Sequence, residues 1–296
     1  MITSFEMMAD QDLSDIRIAI AWPNDVHTIK AVMAAHEKVG ITPILIGDVE
    51  EMRAIANEIN VTLNNKWLIS VKSPEEAAEV AVKMAKDDEV EAIMKGKVDT
   101  AVLLKSVVNR DHGIKKGGVI SHFVVHEMPN YHKLLAMSDG GMNLTPDLAT
   151  KKEIIATSVV ALKKLGIETP NVAALAAVEK VNPKMIETVD AAALKEMNEK
   201  GELAGCYVEG PISYDLAMSK ESASIKGYVS PVTGEVDLLF VPNITVGNVL
   251  GKALVYSANA KMAGVVLGAK VPIILTSRGS SYEEKYYSIL LAGLVG

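Results

Sequence analysis

The sequence predicts an α/β fold of two lobes, with mostly parallel sheets, helices on both faces and a cleft between the lobes. Three observations predict it. Short, continuously apolar runs alternate with longer amphipathic ones, which is the pattern of buried parallel strands joined by helices. The alternation stops at Ser138-Asp139-Gly140-Gly141-Met142-Asn143, a stretch of hinge-like composition, and then restarts. Apolar residues make up 49 % of the 296, yet aromatics only 4 %, so Ala, Val, Ile and Leu carry the core.

In order, Arg17 to Ala21 is expected as a strand, Val26 to Val39 as a helix stopped by Gly40, and Pro43 to Ile46 as a strand. Glu50 to Glu58 (helix), Trp67 to Ser70 (strand), Pro74 to Lys86 (helix) and Glu91 to Met94 (strand) follow. Thr100 to Val107 reads as a helix and Lys133 to Met137 as a strand. Beyond the break come a helix over Pro146 to Leu165, a strand over Val172 to Ala177 and a helix over Met185 to Lys200. A strand containing Cys206, a helix over Tyr214 to Ile225 and a strand over Val236 to Phe240 come next. The end reads as a helix over Val246 to Met262, strands over Gly264 to Leu267 and Val271 to Leu275, and a helix over Tyr282 to Leu294. Right-handed crossovers are expected between parallel strands.

Composition narrows the function. The formal charge of −7 does not attract polyanions, so a phosphate-bearing ligand needs a local cluster of cations. Few aromatics leave no stacking platform for single-stranded nucleic acid. One cysteine, Cys206, rules out an internal disulfide and a cysteine-based metal site; in its apolar surroundings it reads as a buried structural thiol. The acidic first residues lack the apolar core of a signal peptide, and no apolar run reaches membrane-spanning length. A cytoplasmic location is expected.

The sharpest chemical signal is Thr276-Ser277-Arg278-Gly279-Ser280-Ser281-Tyr282-Glu283-Glu284, which lies between an apolar strand and a helix. The first amides of a helix have no internal partners and carry partial positive charge. With hydroxyls, a glycine and a fixed cation they form a cradle for a tetrahedral anion. Lys95-Gly96-Lys97 occupies another strand-to-helix turn, read either as a second anion cradle or as a solvated loop with Asp99 as helix cap. Glu209-Gly210-Pro211 reads as a turn, and Asn243 and Asn248 as caps or ligand contacts. Such turns lie where open α/β sheets bind ligands. No Walker A motif, dinucleotide fingerprint or nucleophile elbow occurs. His122 and His126 would share a strand face, without the helix and glutamate of a zincin.

Taken in order, these segments resemble the phosphate acetyltransferase and phosphate butyryltransferase family over nearly the whole chain. The resemblance is carried by Glu209-Gly210-Pro211, by Pro242-Asn243 with Gly247-Asn248, and by Ala269 to Arg278 ending in Thr-Ser-Arg-Gly-x-Ser. Met94-Lys95-Gly96, Ser121-His122-Phe123 and Val181-Asn182-Pro183-Lys184 resemble the butyryltransferase branch. The resemblance implies a fold of the isocitrate/isopropylmalate dehydrogenase type and a homodimer. It further implies domains of 1–138 with 275–296 and of 139–274. The implied reaction is acyl-CoA plus phosphate giving acyl phosphate plus CoA, with CoA as substrate and no permanently bound cofactor or metal.

By the same resemblance, Arg278 grips phosphate and Ser277 hydrogen-bonds the carbonyl oxygen or the phosphate. Glu284 stands where the family has the Asp that takes the CoA thiol proton. Glu284 also completes an S-x-x-E capping pattern with Ser281, so a purely structural role stays open. Lys95, Gly96, Lys97, Thr100, Ser121, Asn243, Gly247 and Asn248 are the expected substrate-binding residues. A phosphate acetyltransferase, an NAD-dependent dehydrogenase on the same fold and a noncatalytic CoA or acyl-phosphate binder stand as alternatives.

Overall fold

The computed structural model describes residues 1–276 and 279–296. They form two compact units, one of residues 5–118 with 262–296, the other of residues 1–4 with 119–261. The division expected at 138/139 falls instead at 118/119. The strand ending at Ser138 pairs on both sides with strands of residues 119–261, so the chain cannot change units there.

The chain opens with α1 (Phe5–Ala9), β1 (Arg17–Ala21) and α2 (Val26–Val39), then β2 (Thr42–Gly47) and α3 (Val49–Glu58). Asp25 starts α2 by accepting from the Thr28 amide and hydroxyl at 2.8 and 2.6 Å. A 3₁₀ turn at Asn65–Trp67 leads to β3 (Leu68–Ser70), and α4 (Pro74–Lys86), β4 (Ala92–Lys95) and α5 (Thr100–Val107) follow. Ser73 caps α4 and Pro74 occupies its first turn, where a missing N–H costs nothing. The other unit contributes β5 (Ser121–Glu127), β6 (Leu135–Ser138), α6 (Leu148–Lys164), β7 (Asn171–Leu175) and α7 (Ile186–Glu199). After it come β8 (Tyr207–Ile212), α8 (Tyr214–Met218), α9 (Lys220–Lys226), β9 (Leu238–Phe240) and α10 (Ile244–Ser257). The chain ends with β10 (Lys261–Leu267), β11 (Ile273–Ile274) and α11 (Tyr282–Val295).

In the first unit the strand order is β3-β2-β1-β4-β11-β10, parallel except for β10 against β11. In the second it is β5-β6-β9-β7-β8, parallel except for β5 against β6. The α/β class and its mostly parallel sheets are as expected. Ile18 to Ala21 of β1 and Ala92 to Met94 of β4 are fully buried, as parallel strands covered by helices should be. No helix of the described residues is long and apolar enough to cross a membrane.

Three departures have local causes. Glu209-Gly210-Pro211 lies inside β8, not in a turn, and Cys206 precedes that strand. Among the described residues β8 pairs only with β7, and an edge strand tolerates Pro. A Cβ on Gly210 would come within 2.7 Å of the Ala174 Cβ, so the glycine serves close strand packing. The helix read over Tyr214 to Ile225 is two helices, because Ser219 adopts an extended conformation and recaps the chain for α9. α10 ends at Ser257 rather than Met262; Asn259 then turns left-handed at φ 54°.

His122 and His126 do lie four apart on one strand, β5. His126 is fully buried and His122 partly so. Neither ring nitrogen of His126, and not Nδ1 of His122, finds a hydrogen-bond partner among the described residues. Burial holds both neutral, against Asp139 in the case of His122, and brings His126 down to about 4. A base whose folded pKa is depressed contributes full stability above its unfolded value near 6.5. That contribution is lost as pH falls from there toward about 4. For His126 alone the loss is about 3 kcal/mol. Urea midpoints at pH 7.0 and 4.5 should therefore diverge less in His126→Leu than in the wild type. An unchanged divergence would remove His126 from the explanation.

Candidate active site

The first unit reverses its strand order at β1. The chain runs β1, β2, β3 to one side and returns with β4 on the other. Ligands of open α/β sheets bind at the carboxyl ends of strands at such a point. Here the turns after β1 and β4 are fastened together. The Gly96 amide donates to the Ala21 carbonyl at 2.9 Å and the Lys97 amide to the Trp22 carbonyl at 2.7 Å. A Cβ on residue 96 would lie 2.2 Å from the Trp22 oxygen, so only glycine allows this approach.

A cavity of about 410 Å³ opens beside these turns, lined by Asp25, His27, Lys95, Gly96, Lys97, Val98 and Lys285. Lys95 is 6 % exposed, and its ammonium donates to the carbonyls of Gly96 and Val98 at 3.2 and 3.1 Å. Lys97 is exposed at the rim. Three ammonium groups against the one carboxylate of Asp25 supply the local positive field that the acidic chain lacks overall. Thr100 begins α5, whose N-cap residue is Asp99, as the loop-and-cap reading expects, though its side chain makes no capping bond.

β11 pairs parallel with β4 and delivers Thr276 to the same end of the sheet. The hydroxyl of Thr276 accepts from the Lys285 ammonium at 2.9 Å. Ser281 caps α11 by accepting from the Glu284 amide at 3.1 Å. The Glu284 carboxylate does not return this bond as a full capping box requires; it accepts from the Ser280 hydroxyl at 2.6 Å. The half-buried Glu284 carboxyl is raised above its ordinary pKa by burial, opposed by the Ser280 hydrogen bond and by Lys285. Burial lowers Lys285, opposed by Asp25 and Glu284. Ser277 and Arg278 lie outside the described residues.

The remaining expected residues belong to the second unit. Ser121 is fully buried, and its hydroxyl has no hydrogen-bond partner among the described residues. Asn243 caps α10, accepting from the Val246 amide at 3.1 Å. Gly247 packs against Gly140, whose Cα would be 2.6 Å from an added Cβ. The Asn248 amide reaches the Gly140 carbonyl at 3.5 Å. This sheet also reverses its order, at β7, where β9 is inserted on the side away from β8. There a largely apolar cavity of about 620 Å³ is lined in part by Leu175, Ala177, Tyr214, Asn243, Val246 and Val249. Glu209 is held between Lys195 at 2.8 Å and Ser230 at 2.9 Å. The buried Cys206 thiol is pushed up to about 11 by burial and stays protonated at neutral pH, as a structural thiol should.

The structure thus gathers Lys95, Gly96 and Lys97 at one cavity and brings Lys285, the neighbour of Glu284, to its wall. Sequence reading missed Asp25, His27 and Lys285. The turn after β1 precedes α2 as the turn at Lys95 precedes α5, and that parallel could have pointed to Asp25 and His27. Lys285 carried no signal beyond its place after Glu284.

Comparison with known proteins joins this geometry to a chemistry. The phosphate acetyl/butaryl transferase family model matches residues 69–293. A phosphate butyryltransferase of Clostridium acetobutylicum is 38 % identical over 94 % of this chain and 93 % of its own length. A phosphate acetyltransferase of Thermotoga maritima is 40 % identical over 94 % of each. Among solved structures, a branched-chain phosphotransacylase from Enterococcus faecalis V583 superimposes with a TM-score of 0.82 at 31 % identity, covering 95 % of this chain and 99 % of that one. The family match and these relatives put the chain among enzymes of the phosphate acyltransferase class. The chain belongs to the phosphate acetyl/butaryl transferase family.

Proposed function

We propose that the protein transfers a short or branched acyl group, butyryl foremost, between CoA and inorganic phosphate. The observation that carries this reading is the cluster of Lys95, Lys97 and Lys285 on one cavity at the carboxyl ends of β1 and β4. It offers a place for phosphate oxygens in a chain that is otherwise anionic. In one direction a phosphate oxygen attacks the thioester carbonyl, the C–O bond forms, the C–S bond breaks, and the CoA thiolate takes a proton. In the other, CoA thiolate attacks the acyl phosphate and phosphate leaves. Holding both substrates together supplies much of the rate.

In this reading the Glu284 carboxylate accepts the thiol proton. Its side chain is free of the helix cap, and burial raises its basicity. Arg278 holds the phosphate with its planar fork, and Ser277 donates to the developing oxyanion. Thr100 contributes a polar contact to substrate, while Asn243 and Gly247 set the local backbone of their own unit. A second copy of the chain covers the exposed apolar side of α10 at Val246, Val249 and Tyr256. The protein works in the cytoplasm.

The acetyl reading is favoured by the Thermotoga maritima relative, whose identity of 40 % exceeds the 38 % of the Clostridium acetobutylicum butyryltransferase. A substrate-range profile from acetyl-CoA to hexanoyl-CoA, with isobutyryl-CoA and isovaleryl-CoA, separates the two. The butyryl reading expects kcat/KM to peak at four or five carbons, at least about 30-fold above acetyl, since each of the two added methylenes is worth ~1–3 kcal/mol. A peak at acetyl would replace it.

A further inference from the structure

We infer that Lys285 is itself a phosphate ligand, contributing an ammonium to the anion bound in the cavity beside Lys95 and Lys97. This deepens the acyltransferase reading and rests on it for the identity of the anion.

The case begins with a residue in an unfavourable place. Lys285 follows Glu284 near the N-terminal end of α11, where the helix field favours anions. It is only 7 % exposed. Taking an ammonium out of water is costly unless hydrogen bonds and opposite charge replace the solvent. The surroundings go only part of the way. An ammonium has three N–H donors. Among the described residues Lys285 gives one hydrogen bond, to Thr276, and takes part in no ion pair. Glu284, its neighbour in sequence, projects from a different side of the helix and is occupied by Ser280. Asp25, the carboxylate on the same cavity, accepts from both the amide and the hydroxyl of Thr28.

Burial accordingly lowers the proton affinity of Lys285, while Asp25 and Glu284 hold it up. The two remaining donor directions belong to a side chain that lines the cavity. An anion seated there supplies what the fold withholds, and a dianionic phosphate takes two such bonds readily. Thr276 fixes the ammonium, so little rotamer freedom is lost on binding. The end of β11 thus supplies Thr276, and α11 supplies the cation that Thr276 holds.

The test titrates the full-length protein with inorganic phosphate by calorimetry, in the wild type, in Lys285→Gln and in Lys30→Met, which removes an exposed lysine of α2. Loss of a charged hydrogen bond predicts about 10- to 100-fold weaker phosphate binding in Lys285→Gln and wild-type binding in Lys30→Met. The KM for butyryl-CoA should stay within about twofold while the KM for phosphate rises with the dissociation constant. Equal phosphate affinity in the wild type and Lys285→Gln overturns the assignment. If Lys285→Gln does not fold, Lys285→Met is titrated with the same expectation. A wild type that binds phosphate but releases no CoA overturns the acyltransferase reading, and the titration then still decides whether Lys285 holds the anion.

Discussion

Arg278→Ala is expected to lower kcat/KM by about 10³-fold and to leave the melting temperature unchanged. The size follows from the role. Groups aimed at charge that develops in the transition state contribute ~10²–10³ each when removed singly, and a bidentate guanidinium adds orientation to charge. Lys95, Lys97 and Lys285 remain in the variant, so phosphate binding should weaken less than turnover falls. Arg278→Lys discriminates the fork from the charge: a point charge cannot take two parallel bonds, so only part of the activity should return. Kinetics like those of the wild type in Arg278→Ala would remove the residue from the mechanism.

Glu284→Gln is expected to lower kcat by about 10²–10⁴-fold in the direction of CoA attack and to flatten the acid limb of the pH–rate profile. The sign follows from burial. The carboxyl sits above its ordinary value, so in the wild type the base is lost as pH falls through that raised pKa. Stability runs the opposite way. A raised carboxyl contributes stability below its unfolded pKa that is lost as pH rises through the folded one. The carboxylate is thus a cost at neutral pH, and Gln, which can still accept from Ser280, should not lower the melting temperature there. Ser281 continues to cap the helix through the backbone amide of residue 284. A variant that melts earlier but turns over normally would assign Glu284 to structure alone.

Much of the architecture was legible because strands and helices here follow their own periodicities. Val26–Val39 begins at its Asp25 cap and ends at Gly40, and Pro74–Lys86 begins where Ser73 and Pro74 place it. Where tertiary packing decides, local signals misled. Gly210-Pro211 reads as a turn, yet the edge position of β8 and the close approach to Ala174 keep it in a strand. The site was half legible. Lys95, Gly96 and Lys97 stand in a turn whose composition announces an anion, and the Trp22 carbonyl explains the glycine. Lys285 was not legible, because a lysine in a helical segment ordinarily faces water. Only the sheet order, which sets β11 beside β4, carries it to the cavity. Asn243 and Gly247, prominent in sequence, serve a cap and a backbone contact.

The most direct test of the account is CoA release from butyryl-CoA measured with and without inorganic phosphate. The account predicts release that requires phosphate, saturates with it and yields one acyl phosphate per CoA. Absence of phosphate-dependent release with every acyl group from acetyl to hexanoyl would contradict it.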